Sequence, residues 1–429
     1  MEHFEKNMKY VYIINTFYNY KINRRQAMKK INRITDKEKN YVLEVLETEF
    51  SSSKTYGMVT RFEKAFAKRF GADYAVAMVN GTATLHMALE AAGVQIGDEV
   101  ICPPLTMSST SMAVLMSNAI PVFADVDKET FLITAEEIEK KITAKTKAII
   151  TVSLYGLSPQ MKEIMALANK YNLIVIEDNA ECYGATQNGR IVGSYGHIAS
   201  YSFQSSKHLT AGEGGIVITN DADLADKMRR YSGLGYAGIT SSKGRITKDD
   251  IQSPNYERHV ILGWNYRMAD LCAAVALGQL ERMDELVEMR QLSAKHYDKA
   301  VEGCAWLHPQ KVLAGNTHSY WTYVMKLDTD VVSWNDFRKK YIELGGDRYY
   351  AAWKLAYQEP MFKNKNFLNR ENIPEYDVYD YNKVYCPNAE LLQKSLIQLK
   401  TNYYDEQEMI EQADVLRMTI DYFEALLGK

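Results

Sequence analysis

The stretch "SFQSSKHLTAGEGG", Ser202 to Gly215, sets a single lysine among small and hydroxylated residues just before a glycine-rich turn. A loop lysine that is partly desolvated and aimed at a carbonyl carbon can form a Schiff base. Ser205 and Ser206 leave room for that beside Lys207. Upstream, "LIVIEDNAECYGA" (Leu173 to Ala185) ends an apolar run in Glu177-Asp178. In open α/β sheets the carboxyl ends of strands are where ligands sit, and a carboxylate there can pair with a protonated ring nitrogen. Further upstream, "NGTATLHMALEAAG" (Asn80 to Gly93) opens a helix on Gly81, Thr82 and Ala83. Helix N-termini present unpaired N–H groups and a positive dipole end, which suits a phosphate. Gly81 permits close backbone approach and Thr82 adds a hydroxyl. Downstream, "GWNYRMADLCAA" (Gly263 to Ala274) carries Asn265 and Arg267 into a helix with small residues on one face. Each stretch also has an ordinary reading: a solvated loop lysine, a carboxylate capping the next turn, an N-cap, a helix start packed by alanines. Together, in this order, they converge on one ligand.

Those stretches need elements to hold them, and the chain from Ile34 onward supplies a regular series. "DKEKNYVLEVLET" has helical spacing, with Asp36 placed as its N-cap. "VTRFEKAFAKRFG" predicts an amphipathic helix closed by Gly71. Next, "DEVICPP", "IPVFADVD", "AIITVSL" and "LIVIEDN" read as strands. "TSMAVLMSN", "TAEEIEKKI" and "QMKEIMALANKY" read as the helices between them. The strands are continuous apolar runs, so both faces must be covered, which implies a parallel α/β sheet. "ASYSFQ" and "GGIVITND" add two strands on either side of the lysine loop. A long helical region, Met268 to Gly303, then links this domain to the rest. After it, "SYWTYVMKLD" (strand), "SWNDFRKKYIELG" (helix) and "DEQEMIEQADVLRMTIDYFEALL" (closing helix) alternate less regularly. The expected organisation is a basic N-terminal extension over 1–35, a large α/β domain over 36–290 and a smaller α+β domain over 291–429.

Composition narrows the partners. The 429 residues carry a net charge of −3, with 46% hydrophobic and 24% charged residues. That balance suits a soluble globular protein and gives no basic field for nucleic acid. The five scattered cysteines never form a C-x-x-C pair, so they read as thiols in a reducing, cytoplasmic compartment with no metal site implied. No run of about 18 apolar residues exists to span a membrane. The first 35 residues differ, with eight Lys/Arg against two Glu around "YVYIINTFYNY" (Tyr10 to Tyr20). They read as an appended helix or arm, or as residues upstream of a natural start at Met28. A signal peptide fits poorly, because the apolar stretch is broken and no small-residue cleavage site follows.

The four stretches, with "FEKAFAKRFGADYAVAMVNGTATL", "GDEVICPPLTMSSTSMAVLMSNAIPVFADVD" and "GWNYRMADLCAAVALGQLERMDEL", resemble the DegT/StrS family of sugar aminotransferases, pyridoxal-phosphate enzymes of fold-type I. The resemblance runs from Asp36 to the C-terminus. It implies that Lys207 holds pyridoxal 5'-phosphate covalently and then serves as acid and base in the proton shift. It implies that Asp178 partners the pyridine nitrogen, and that Gly81, Thr82, Ala83 and Ser202 cradle the phosphate. Asn265 matches a residue that reaches the phosphate of the neighbouring subunit, so a homodimer with shared sites is expected. Met107 stands where the family commonly stacks an aromatic residue on the cofactor ring; a polarizable thioether can take that place. Glu181 stands near the cofactor's phenolate oxygen, where Gln is frequent, and two anions there must share a proton. Some relatives carry histidine at the lysine position and act as dehydratases, so Lys207 argues for transamination. "YSGLGYAG" (Tyr231 to Gly238) departs from the family's His-Gly pair and leaves substrate contacts there open. The resemblance implies a reaction that moves an amino group from L-glutamate to a keto sugar, with a nucleotide-linked 4-keto-6-deoxy hexose as the expected substrate. The alternatives are a glutamine-dependent keto-cyclitol aminotransferase and a non-catalytic regulator that keeps the fold. "GGDRYYAAWKLAYQEP" (Gly345 to Pro360) suits either stacking on sugar and base faces or a seam between domains.

Overall fold

The computed structural model describes residues 28–50, 57–240, 252–377 and 379–428. Of the basic extension only 28–35 fall among these, and the aromatic segment Tyr10 to Tyr20 lies outside the described residues. The strands in chain order begin with β1 (Tyr74–Met78), β2 (Glu99–Cys102), β3 (Ile120–Phe123), β4 (Thr146–Val152) and β5 (Ile174–Asp178). The short β6 (Thr186–Gln187) and β7 (Arg190–Ile191) pair only with each other, and β8 (Ile198–Ser202) and β9 (Gly215–Thr219) follow. The central sheet has seven strands in the order β1-β9-β8-β5-β4-β2-β3.

Strands β3, β2, β4, β5 and β8 run parallel, and the apolar runs of β2 to β5 are buried as a sheet covered on both faces requires. β9 is antiparallel to both of its neighbours, β8 and β1. The reversal follows from the connection. β8 passes to β9 through residues 203–214 without a helix, and a parallel return needs a crossover. The lysine loop is therefore the turn of an antiparallel pair, set at the carboxyl end of β8 beside the carboxyl end of β5.

Side chains alternate across the sheet. Along β1, Val76 and Met78 enter one apolar cluster while Ala75 and Ala77 enter the opposite one. Helices Gly81–Ala91, Ser109–Met116 and Met161–Tyr171 cover the first face, and helices Met58–Phe70 and Asp270–Leu280 cover the second. Gly71 closes Met58–Phe70 in the left-handed region at φ 67°. Asp36, expected as a cap, is instead the first residue of helix Asp36–Glu47. Thr35 caps it: its Oγ1 accepts the Lys37 N–H at 3.3 Å, and Glu38 Oε2 accepts the Thr35 N–H at 2.8 Å. Threonine reaches the second and third turn donors while Glu38 reaches back, which aspartate at position 36 cannot do from inside the helix.

A second sheet holds β10 (Leu307–Pro309), β11 (Thr322–Leu327), β12 (Tyr350–Ala351) and β13 (Leu396–Lys400), all antiparallel, in the order β10-β11-β13-β12. Tyr297, Trp306, Tyr323, Phe337 and Ile420 form its core. The helical region after Met268 breaks into Asp270–Leu280 and Met283–Val301. The second of these bridges the cores, with Leu286 in the second cluster and Tyr297 in the third. Leu355, Tyr357 and Phe362 return to the first cluster, against the large sheet. Among the described residues no helix is long and apolar enough to cross a membrane. The five cysteines are free thiols, with Cys102, Cys182 and Cys386 buried.

Candidate active site

The carboxyl ends of β5 and β8 and the start of helix Gly81–Ala91 enclose a cavity of about 490 Å³. Gly81, Thr82, Met107, Asp178, Glu181, Ser202 and Lys207 all line it. Sequence positions spread over more than a hundred residues thus meet because they end successive strands on one edge of the sheet.

One end of the cavity is the helix start. Asn80 is its N-cap, and Asn80 Oδ1 accepts the Ala83 N–H at 2.8 Å. Ala83 is buried and does not line the cavity. Its donor serves the cap, whereas the Gly81 and Thr82 N–H groups have no acceptor within the helix. Gly81 presses against the end of β8, so that a Cβ there would lie 2.9 Å from Ser202 Cβ. A Cβ on Gly215 would lie 2.4 Å from the Asn80 carbonyl oxygen. These contacts leave the Ser202 hydroxyl beside the helix start, with no side chain between.

The middle of the cavity is acidic. Asp178 is 5% exposed; its Oδ2 accepts the Thr110 hydroxyl at 3.0 Å and its Oδ1 accepts the Ala180 N–H at 3.2 Å. Burial pushes its pKa up to about 6, against the pull of those donors and of the Lys207 charge. Glu181 is also buried; its Oε2 accepts the Tyr155 N–H at 3.0 Å, and its Oε1 faces Lys207 Nζ at 3.2 Å. Tyr155 holds a left-handed backbone, φ 64°, to aim that N–H.

Lys207 closes the far side. Its side chain is 12% exposed, and its Nζ lies 4.2 Å from the ring centroid of Trp321. It is the one cation among the described residues that line the cavity. Met107 lies at the mouth, 50% exposed. Asn265 does not line the cavity: it is exposed on a turn bridged to Gly233, and the next residue, Tyr266, accepts the Val79 N–H at 2.8 Å. Three contributors escaped the sequence reading, and a fourth, Trp353, lay in an aromatic stretch whose role it left open. Asn80 carried a signal, as a cap-type residue directly before Gly81. Thr110 carried none, since its partner Asp178 is 68 residues away. Trp321 and Trp353 also line the cavity, 6.0 Å apart between ring centroids, from a strand end and a loop that sequence cannot register.

The match to a family model spans residues 32–398, and the family is described as the DegT/DnrJ/EryC1/StrS aminotransferase family. The chain belongs to this family. It is therefore an aminotransferase that works with pyridoxal 5'-phosphate. It is 39% identical over 288 residues to the GDP-perosamine synthase of Escherichia coli O157:H7, covering 67% of this chain and 74% of that one. It is 40% identical over 298 residues to the GDP-perosamine synthase of Caulobacter vibrioides, covering 69% and 76%. Among solved structures, an aminotransferase from Psychrobacter cryohalolentis superposes with a TM-score of 0.80 at 30% identity, over 92% of this chain and 98% of that one.

The cavity's own chemistry fits that cofactor. The donor set at the helix start suits a phosphate, and the approach of Gly81 and Gly215 leaves space that any Cβ would fill. A buried carboxylate whose pKa is held high waits for a cationic partner, which a protonated ring nitrogen supplies. A shielded primary amine faces them across the cavity. The cavity's volume lies within the roughly 300–1,000 Å³ usual for small-molecule sites.

Proposed function

We propose that the protein transfers an amino group from L-glutamate to the keto carbon of a nucleotide-linked 4-keto-6-deoxy sugar. The observation that carries this reading is the placing of Lys207, Asp178 and the Gly81–Ser202 contact around one cavity. When bound, pyridoxal phosphate supplies the electron sink and carries the amino group between the two substrates. Gly81, Thr82 and Ser202 would hold its phosphate, and Asp178 would keep its ring nitrogen protonated. Lys207 would hold the cofactor through Nζ, and the same amine is placed to move a proton at the substrate carbon. Glu181, with one oxygen fixed on Tyr155 N–H, keeps the other for Lys207 Nζ. Trp321 and Trp353 wall off water and offer flat faces to a sugar or base. Two half-reactions on one cofactor predict ping-pong kinetics.

The two perosamine synthase relatives favour the nucleotide-sugar reading over the keto-cyclitol one. The shielded amine of Lys207 facing a buried aspartate argues against a non-catalytic regulator. The direct test loads the enzyme with the amine form of the cofactor and offers keto sugars, free and nucleotide-linked, and keto-cyclitols. Nucleotide-linked keto sugars should restore the visible absorbance fastest. Faster discharge by a keto-cyclitol would overturn the substrate assignment. Free, mostly buried thiols support a reducing, cytoplasmic setting.

Among the described residues that line the cavity Lys207 is the one cation, so a phosphate dianion there would lean on the helix start. The exposed turn with Asn265 and Arg267 supports a homodimer in which each copy extends this turn to the other's phosphate. Asn265→Ala should then weaken cofactor affinity by roughly 10–100-fold, the worth of one hydrogen bond to a charged group. Equilibrium dialysis of the cofactor checks this, and an unchanged dissociation constant would contradict the shared site.

A further inference from the structure

Arg290, on helix Met283–Val301, is 3% exposed, and no carboxylate forms an ion pair with it among the described residues. Burial lowers its pKa to about 10, so it stays cationic at neutral pH. Burying an ion without a counter-ion costs several kcal/mol unless its donors are satisfied. Here they are satisfied by oxygens of the active-site frame. Nη2 donates to the carbonyls of Ser206 (3.0 Å) and Lys207 (3.1 Å), and Nη1 donates to the carbonyl of Trp321 (2.7 Å) and the hydroxyl of Thr401 (3.2 Å). The Trp321 indole N–H also donates to the Ser206 carbonyl, at 3.0 Å.

A second guanidinium reaches the same loop from the other end of the chain. Arg33 Nη2 donates to the carbonyls of Ser205 and Lys207. Its segment is tied down on both sides. The Arg33 carbonyl accepts from Gln279 Nε2 at 2.8 Å and Arg282 Nη1 at 3.0 Å, and the Ile31 N–H donates to the Tyr404 carbonyl at 2.9 Å. Three successive carbonyls, 205 to 207, are thus gripped from behind while the Lys207 side chain emerges into the cavity.

We propose that Arg290, seconded by Arg33, is a positioning residue for Lys207. The clamp fixes the loop backbone and, through Trp321, the aromatic surface over Nζ, so that the amine has one line of approach to the cofactor carbon. This rests on Lys207 being the residue that holds the cofactor. A planar fork satisfies three carbonyls and a hydroxyl at once, which a lysine ammonium cannot do from the same place.

The test compares Arg290→Lys and Arg33→Gln with the wild-type holoenzyme. In Arg290→Lys the rate constant of the donor half-reaction should fall by about 10–100-fold, the scale of an ångström-sized misplacement, with the donor KM little changed. Borohydride capture of the cofactor on Lys207 should slow, and the visible absorbance band should shift or broaden. Arg33→Gln should move the same readouts in the same direction by a smaller factor, and it decides the matter if Arg290→Lys does not fold. Variants with the wild-type spectrum, capture rate and half-reaction rate, changed only in melting temperature, would overturn the clamp. Absence of any adduct on Lys207 in the wild type would instead overturn the reading beneath it.

Discussion

Lys207→Ala should abolish turnover, with kcat falling by about four orders of magnitude or more, since covalent holding and proton transfer are lost together. The fold should survive, because the loop is held by its backbone carbonyls and not by the lysine tip. Cofactor should still bind through Asp178 and the helix start, without a covalent link. Rapid-quench assay of both half-reactions, beside a cofactor-binding titration, separates the two effects. An active alanine variant would remove Lys207 from its role. A variant that neither binds cofactor nor melts cooperatively would mean that the amine also supports the frame.

Asp178→Asn is the second large effect. The amide keeps the size and can still accept from Thr110, but it cannot hold a proton on a ring nitrogen. Breaking a buried charge pair costs roughly 3–5 kcal/mol, or between about two and four orders of magnitude in rate. The pH dependence follows in sign. In the cofactor-free protein burial holds the Asp178 carboxyl at about 6, above its unfolded value near 3.9. Its neutral form therefore favours the fold at low pH, and that contribution is lost as pH rises through about 6. Cofactor binding has the opposite slope, because the ring cation needs the carboxylate. Affinity should rise with pH to a plateau above about 6, and Asp178→Asn should remove that rise. A wild-type affinity flat across this range would contradict the pairing.

Much of this architecture is written locally. The parallel strands announce themselves as apolar runs, and Gly71 and Asp178 sit where a helix stop and a strand end must fall. The lysine loop stands out because no helix separates its two strands, and that same fact carried the antiparallel β9, whose direction the apolar pattern alone does not reveal. Thr35 and Glu38 formed a readable capping box, yet Asp36 between them was an equally plausible cap-type residue, and only the backbone decides. Long-range pairings had no local trace. Thr110 on Asp178, Tyr155 on Glu181 and Arg290 on the lysine loop join residues from separate elements, and a buried arginine on an amphipathic helix looks like any surface one. "GGDRYYAAWKLAYQEP" divides in a way its composition could not show, with Trp353 at the cavity and Leu355 and Tyr357 in the core.

The measurement that bears most directly on the central claim is borohydride reduction of the cofactor-loaded protein, followed by peptide mass mapping. A reduced pyridoxyl group on the peptide containing position 207, absent from Lys207→Ala, is the predicted result. A fully loaded sample whose label falls on another lysine, or on none, would contradict the account at its base.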